Sequence, residues 1–347
     1  MKIGIVGCGD ISGIYLKNIT TMFNKELEIA GVCDLIPGRV DKVVKEYGVR
    51  KYSDMHEMFA DPAVDIVLNI TRPYEHFDVS MAAIAAGKHV YTEKPLGATH
   101  DEGKKIFDAA KAAGVRLGGA PDTFLGAGIQ TCRKLIADGY IGEPVGATAF
   151  MTNRGHESWH PDPAFYYKFG GGPMLDMGPY YLTTLVHLLG PIKSVAGMAK
   201  PSFPTRTITS EPRFGTVVDV EVPTFTMGLL QFESGAQGSI FTTFDVHAAK
   251  LPIIEIYGSE GTISVPDPNT FGGPVGLYRP EHGEFTEFPL MFPYPENSRG
   301  LGLCDMASSI KDARPHMASA DQIFHVLEVM TAIEADRTCH GSTGQKF

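Results

Sequence analysis

The sequence predicts an α/β protein of two domains: a doubly wound parallel domain over residues 1–120, and a second domain over 121–347 built on a mostly antiparallel sheet. Three observations predict it. Up to residue 120, apolar strand-like runs alternate with stretches of helical spacing, at the pace of successive βαβ units. Beyond Pro121, strand-like runs follow one another across glycine and asparagine turns without helices between them, which suits antiparallel pairing. Near the start, a glycine turn separates the first strand from the first helix, and an acidic residue ends the next strand about 20 residues later.

Bulk properties narrow the class. At 347 residues the chain can hold two domains, each with its own core. A formal charge of −10 argues against a nucleic-acid surface. No run is long and apolar enough to span a bilayer, so no membrane partner is expected. Met1 leads straight into strand residues with no charged and apolar prelude, which predicts no signal peptide and a cytoplasmic protein. Cys8, Cys33, Cys132, Cys304 and Cys339 are odd in number and lack metal spacing, as expected of reduced, mostly buried thiols.

Lys2 to Val6, the Gly7-Cys8-Gly9-Asp10-Ile11-Ser12-Gly13 turn and the helical spacing from Ile14 to Met22 read as strand, glycine loop and helix start. Backbone amides from Gly7, Gly9, Asp10, Ile11 and Ser12 can then face a pyrophosphate at a helix amino end. Ser12 stands where a third glycine is usual, and Gly13 comes one residue late. Glu28 to Cys33 is the second strand, and Asp34 can hold a ribose diol at its end. An aspartate there repels a 2′-phosphate, so NAD is favoured, while Arg39 leaves NADP possible. Val64 to Ile70 is an apolar strand of the kind buried on both faces of a parallel sheet. It runs into the Thr71-Arg72-Pro73-Tyr74-Glu75-His76 turn, where Thr71, Pro73 and His76 are further cofactor-binding candidates. His76 either lines a nicotinamide pocket or packs at a helix start.

His89 to Thr92 is a short strand, and Glu93 and Lys94 follow at its carboxyl end, where open α/β sheets place their ligands. Pro95 pushes Lys94 away from helical angles, so its ammonium is expected to project from a turn. Asp101 to Ala113 reads as a helix closed by Gly114, and Val115 to Gly118 as another strand.

In the second half a helix from about Leu125 to Asp138 precedes strand-like runs at 144–152, 192–200, 223–232, 236–246, 251–257 and 261–265. The Gly155 to Tyr167 stretch should be a loop over the cleft, since it holds two prolines and the only tryptophan. His156-Glu157-Ser158-Trp159-His160 matches a zinc-protease pattern that requires a helix. Gly155, Pro161 and Pro163 argue against that helix, and no metal is expected. His156, Trp159 and His160 suit a sugar, through an aromatic face and paired hydrogen-bonding groups; alternatively Trp159 anchors packing and the histidines are solvated. Glycines 170–172 feed a helix through Leu189 on which Asp176 and Tyr180 share a face one turn apart. Beside Lys94, the ordinary phenol pKa of about 10 would fall, because a cation favours phenolate. Tyr180 could then take a hydroxyl proton while a nicotinamide takes the hydride. Alternatively Asp176 bonds backbone amides and Tyr180 fills the core. Ser298 to Lys311 and Ser319 to Asp336 read as closing helices, the last packing back near the domain junction.

Taken together, GIVGCGDISG, CDLIPGR, the 71–76 turn, AGKHVYTEKPLG and GGGPMLDMGPYY resemble the glucose-fructose oxidoreductase, inositol dehydrogenase and rhizopine catabolism (Gfo/Idh/MocA) family. The likeness runs from residue 1 to about 190. It implies an amino-terminal Rossmann domain and a carboxyl-terminal α/β domain with a large open sheet, through which members usually form dimers or tetramers. The family lysine corresponds to Lys94 and its helix aspartate to Asp176; many members have histidine where this chain has Tyr180, others tyrosine. Ala120-Pro121-Asp122-Thr123 departs from the common asparagine and arginine pattern, which makes Asp122 a candidate for touching substrate or nicotinamide. The function so implied is NAD-dependent oxidation of a hydroxyl carbon in an unphosphorylated sugar, cyclitol or glycoside. Alternatives are a redox-neutral glycosidase or epimerase using retained NAD, and a non-catalytic NAD-dependent sugar sensor.

Overall fold

The structure is a computed structural model that describes residues 1–335 and 339–340. It divides into two compact units, Met1–Asp122 with Asn297–Phe324, and Thr123–Glu296 with the chain from His325 on.

In the first unit, strands β1 (Lys2–Val6), β2 (Glu28–Cys33), β3 (Ile66–Asn69), β4 (His89–Thr92) and β5 (Leu117–Gly119) form a parallel sheet in the order β2-β1-β3-β4-β5. Helices α1 (Ser12–Thr21), α2 (Pro37–Tyr47), α3 (Met55–Ala60), α4 (His76–Ala85) and α5 (His100–Ala113) join these strands. All four β3 residues are buried, as a strand covered on both faces must be. This is the expected doubly wound Rossmann arrangement. Two helices go beyond the expectation. In α2, Pro37 starts the helix, Val40 and Val43 are its buried residues, and Gly48 ends it in the left-handed conformation. In α3, the Asp54 carboxylate caps the N–H groups of His56 and Glu57.

Residues 297–324 were expected with the second domain but belong to the first. The reason is polar and specific. Asp122 Oδ2 accepts the N–H groups of Gly300 and Gly302 at 2.8 and 3.0 Å, at the start of the helix Leu301–Lys311. The Asn18 amide donates to the carbonyls of Asn297 and Arg299, both at 2.9 Å, and Phe324 stacks on Phe107 at 5.0 Å. The last helix, Ala320–Glu334, is divided between the units after Phe324. Its expected end at Asp336 lies outside the described residues.

In the second unit, α6 (Ala127–Ala137), β6 (Pro144–Thr152) and α7 (Pro173–Leu189) precede the strands β7 (Ile192–Lys200), β8 (Thr205–Thr207), β9 (Val217–Asp219), β10 (Phe225–Phe232), β11 (Gln237–Thr243), β12 (Ile254–Gly258), β13 (Thr262–Val265), β14 (Val275–Tyr278), β15 (Phe285–Phe288) and β16 (Cys339–His340). Among the described residues the large sheet has nine strands, ordered β15-β14-β13-β12-β6-β11-β10-β7-β16, while β8 and β9 pair separately. Within the large sheet every pairing is antiparallel except β6 with β11. Helix α7 packs on β6, β10 and β11. Strand β10 shows why the sheet has a wet and a dry face: Thr226, Gly228, Leu230 and Phe232 turn inward, and Met227 and Leu229 turn outward. No helix among the described residues is long and apolar enough to cross a membrane.

Candidate active site

In the first unit, the strand β1 ends at a glycine turn that only glycine can make. Gly7 has φ 104°, and a Cβ there would sit 2.7 Å from the Ile70 carbonyl oxygen. Gly9 instead has open space where a side chain would be, so its backbone can be approached closely. Asp34 closes the turn from the end of β2: Oδ2 accepts the Cys8 N–H at 2.7 Å and Oδ1 accepts the Ile36 N–H at 2.8 Å. Ser12 turns its hydroxyl back onto the Gly9 carbonyl at 2.6 Å, so it fits the place of the missing glycine by closing the turn itself. The first turn of α1 has neither a side-chain cap nor an acidic residue, so its N–H groups and positive dipole end suit an anion. These residues fit a dinucleotide: turn amides for the pyrophosphate and a carboxylate with spare lone pairs for a ribose. Burial, and then the Asp34 charge, push the Cys8 thiol up to about 12, so it is inert at neutral pH. Cys8, Cys33 and Cys132 are buried free thiols and Cys304 is a partly exposed one; the side chain of Cys339 lies outside the described residues.

Lys94 stands just past β4, partly buried between buried neighbours, and its peptide bond to Pro95 is cis. Glu93 anchors its backbone. The Glu93 carboxylate accepts the Tyr15 hydroxyl at 2.7 Å and the Lys94 N–H at 3.1 Å, and its own N–H reaches the Asn69 carbonyl at 2.8 Å. Glu93 therefore serves the scaffold beneath Lys94. Asn69 in turn orders the next loop, its Oδ1 accepting the Thr71 hydroxyl at 2.7 Å. Thr71 and Pro73 remain partly exposed there.

Two sequence candidates are corrected by burial. His76 is 0% exposed, with Nδ1 2.7 Å from the Pro95 carbonyl and Nε2 3.1 Å from the Thr71 carbonyl. Burial holds it below its ordinary pKa. It joins the Thr71 turn to the Lys94-Pro95 bend and packs, so no face is left to line a nicotinamide pocket. Asp122 is 1% exposed and caps Gly300 and Gly302, which makes it a buried cap of the fold. Burial raises its carboxyl to about 6 even though both N–H groups oppose the shift.

In the second unit, Gly172 has φ 89° and Pro173 opens α7, whose first hydrogen bond runs from the Asp176 N–H to the Gly172 carbonyl at 2.9 Å. Pro179 lies between Asp176 and Tyr180 and has no N–H for the carbonyl one turn earlier, so the helix is loosened just where the two polar residues stand. Asp176 is partly buried and Tyr180 is 7% exposed. His156 comes to this helix from the loop: its Nε2 lies 3.6 Å from Asp176 Oδ2. Its ring stacks on Tyr166, with centroids 3.8 Å apart and planes 8° apart, and meets Phe244 edge-on at 4.8 Å. Trp159, 63% exposed, is 5.3 Å from the same ring, so it is not a packing anchor. His160 Nδ1 accepts the Asp162 N–H at 3.0 Å, and the ring lies edge-on to Tyr166.

The His156–His160 segment is a single turn, not a helix. Its glutamate is bound by an arginine that sequence reasoning did not single out. Arg206 Nε donates to Glu157 Oε1, and Nη1 donates to Asp245 Oδ1 at 2.7 Å. Burial, the largest single influence, pushes the Glu157 carboxyl up, but the hydrogen bonds from Arg206 and Tyr167 and the Arg206 charge together outweigh it and leave the group below its ordinary value. Tyr166, which stacks on His156, Arg206, which holds Glu157 beside it, and Asp245, which pairs with Arg206, are the residues the sequence did not reveal.

Comparison with known proteins follows the same two-part division. Residues 1–119 match the description "Oxidoreductase family, NAD-binding Rossmann fold", and residues 129–264 match "GFO/IDH/MocA C-terminal domain". The chain belongs to the Gfo/Idh/MocA oxidoreductase family. The first matched segment of this Gfo/Idh/MocA chain holds Gly7 through Lys94, and the second holds His156, Asp176, Tyr180 and Arg206. It is 32% identical over 166 residues to the inositol 2-dehydrogenase/D-chiro-inositol 3-dehydrogenase of Lactiplantibacillus plantarum, covering 46% of this chain and 45% of that enzyme. This alignment spans less than half of the relative's length. To the scyllo-inositol 2-dehydrogenase (NAD(+)) of Bacillus subtilis it is 26% identical over 273 residues, 76% of this chain and 73% of the relative. Among solved structures, an NAD binding oxidoreductase from Klebsiella pneumoniae superposes with a TM-score of 0.85 at 24% identity, over 99% of each chain. A levoglucosan dehydrogenase complexed with NADH and levoglucosan gives 0.81 at 20% identity, over 99% of this chain and all of that one. At these identities the structural likenesses establish the fold.

Proposed function

We propose that this chain is an NAD-dependent dehydrogenase that oxidises a hydroxyl carbon of an unphosphorylated sugar, cyclitol or glycoside. The observation that carries the reading is the polar set of the second unit: Asp176 and Tyr180 one turn apart on α7, with the His156 ring 3.6 Å from Asp176. Gly7, Gly9, Asp10, Ile11 and Ser12 would hold the pyrophosphate, Asp34 a ribose, and Thr71, Pro73 and Lys94 the nicotinamide end. Held there, NAD would supply the acceptor for the hydride that leaves the carbon being oxidised.

The chain's own residues handle the rest. Lys94 donates a hydrogen bond to the reacting hydroxyl and orients it; Tyr180 takes the hydroxyl proton as the carbon–oxygen double bond forms. Asp176 and His156 accept and donate hydrogen bonds to neighbouring hydroxyls, and His160 and the exposed face of Trp159 extend the sugar-facing wall. The Asp34 carboxylate disfavours a 2′-phosphate, while the exposed Arg39 leaves some use of NADP. We also propose assembly through the outer face of the large sheet. There Met227 pairs with Met198 on one side and Phe241 on the other, and Met227, Met198 and Leu229 are 48%, 64% and 66% exposed.

A panel of myo-inositol, scyllo-inositol, levoglucosan and common hexoses, read by nicotinamide absorbance with NAD and NADP in parallel, tests the reading. Reduction of NAD by at least one unphosphorylated member is expected. Conversion of a panel member without net NADH change would replace the reading with redox-neutral chemistry. Tight NAD binding with no turnover of any member would replace it with a sensor.

A further inference from the structure

We infer that Arg206 is a positioning residue that fixes the His156–His160 turn, and so keeps the His156 ring against Asp176 for sugar binding. This deepens the dehydrogenase reading and rests on it. Arg206 projects from the middle of β8, and its side chain is 3% exposed. Besides Glu157 and Asp245, it reaches two main-chain carbonyls through Nη2: Arg154 at 2.6 Å and Phe244 at 2.8 Å. Arg154 and Glu157 bracket His156 in the chain, and Phe244 is the ring that meets His156 edge-on. One guanidinium thus ties together the stretch on both sides of His156 and the strand end against which the imidazole rests.

The surroundings favour a geometric role over a stabilising one. Asp245 is held in turn by the Thr224 hydroxyl at 2.6 Å, and the Tyr167 ring lies 5.3 Å from the guanidinium carbon. Burying one cation with two carboxylates costs desolvation that their attraction roughly offsets, so such a set is weak evidence for stability. What it supplies is direction: the guanidinium is a flat, rigid fork, and four of its N–H bonds are aimed at two chain segments, 154–157 and 244–245. Lysine cannot reproduce that fork.

Glu157→Gln is the test, because it weakens the link to the turn while Asp245 still neutralises Arg206. The full-length variant is compared with wild type on levoglucosan and myo-inositol. Trp159, the chain's one tryptophan, lies within the turn and reports its motion by time-resolved fluorescence anisotropy. The expected result is a sugar KM raised on the order of tenfold, an NAD KM within about twofold, and a larger fast-depolarising amplitude for Trp159. Arg206→Lys, expected to act in the same direction, carries both readouts if Glu157→Gln does not fold. Unchanged sugar KM and anisotropy would overturn the proposal, as would equal losses toward sugar and NAD. If wild type oxidises no member of the wider sugar panel, the dehydrogenase reading fails on that count, and the anisotropy alone decides whether Arg206 holds the turn.

Discussion

His156 Nε2 lies 3.6 Å from Asp176 Oδ2, which sets a loop imidazole against a carboxylate on the first turn of α7. The separation exceeds a strong hydrogen bond, so the pair gains most when the imidazole is protonated or when a substrate hydroxyl bridges the two groups. His156→Gln and Asp176→Asn should each lower kcat/KM for the sugar by about tenfold or more, with the double variant less impaired than the product of the singles. A coupling on the order of 1 kcal/mol is expected from contacting residues in one network. Independent, multiplying losses would mean that the two side chains do not serve the same substrate group.

Gly7→Ala should weaken nucleotide binding and the fold together. At φ 104° an alanine is strained, and its Cβ would press on the Ile70 carbonyl from 2.7 Å. The expected destabilisation is about 1–3 kcal/mol, with NAD affinity reduced at least tenfold by calorimetry. Gly9→Ala has space for its Cβ in the free protein and should spare stability while still hindering NAD.

Stability should fall as the pH drops from 6.5 to 4. Burial holds His187, His316 and His325 near 4 in the folded protein, so over that window the unfolded chain binds protons that the folded one refuses. Their contribution is fully present above about 6.5 and is lost as the pH falls through about 4. Asp122 runs the other way. Burial raises its carboxyl to about 6, so its contribution is present below about 4 and fades as the pH rises through 6. Asp122→Asn should therefore steepen the acid loss of Tm, and leave the sugar KM within about twofold because Asp122 is a buried cap. A parallel Tm profile, or a tenfold KM change, would contradict this assignment.

Local chemistry decided what was legible. Strand, glycine turn, helix and acid lie within 34 residues at the start of the chain, so the nucleotide fold could be read from spacing alone. Strands β6, β7, β10, β11, β12 and β13 of the second unit were visible as strand-like runs, as in the alternation of β10, whereas β14 and β15 were not. Arg206 was not, because its carboxylate partners lie 49 and 39 residues away and the strand that carries it has three residues. Asp122 in a Pro-flanked turn looks like a ligand-facing acid until Gly300 and Gly302, 178 and 180 residues on, show it to be a cap. The same contacts explain why residues 297–324 return to the first unit. Helix α3 is specified by one capping aspartate and two buried residues, too little apolar periodicity to be seen.

In the proposed reaction Lys94 orients the substrate hydroxyl and Tyr180 takes its proton. The most direct measurement is a double-mutant cycle on kcat/KM with Lys94→Met, Tyr180→Phe and the combination, using the best substrate of the panel with saturating NAD. Each single change should cost roughly 10²–10⁴-fold, and the double variant should be no worse than the more damaged single. Multiplying losses, or turnover largely retained in Lys94→Met, would contradict the account.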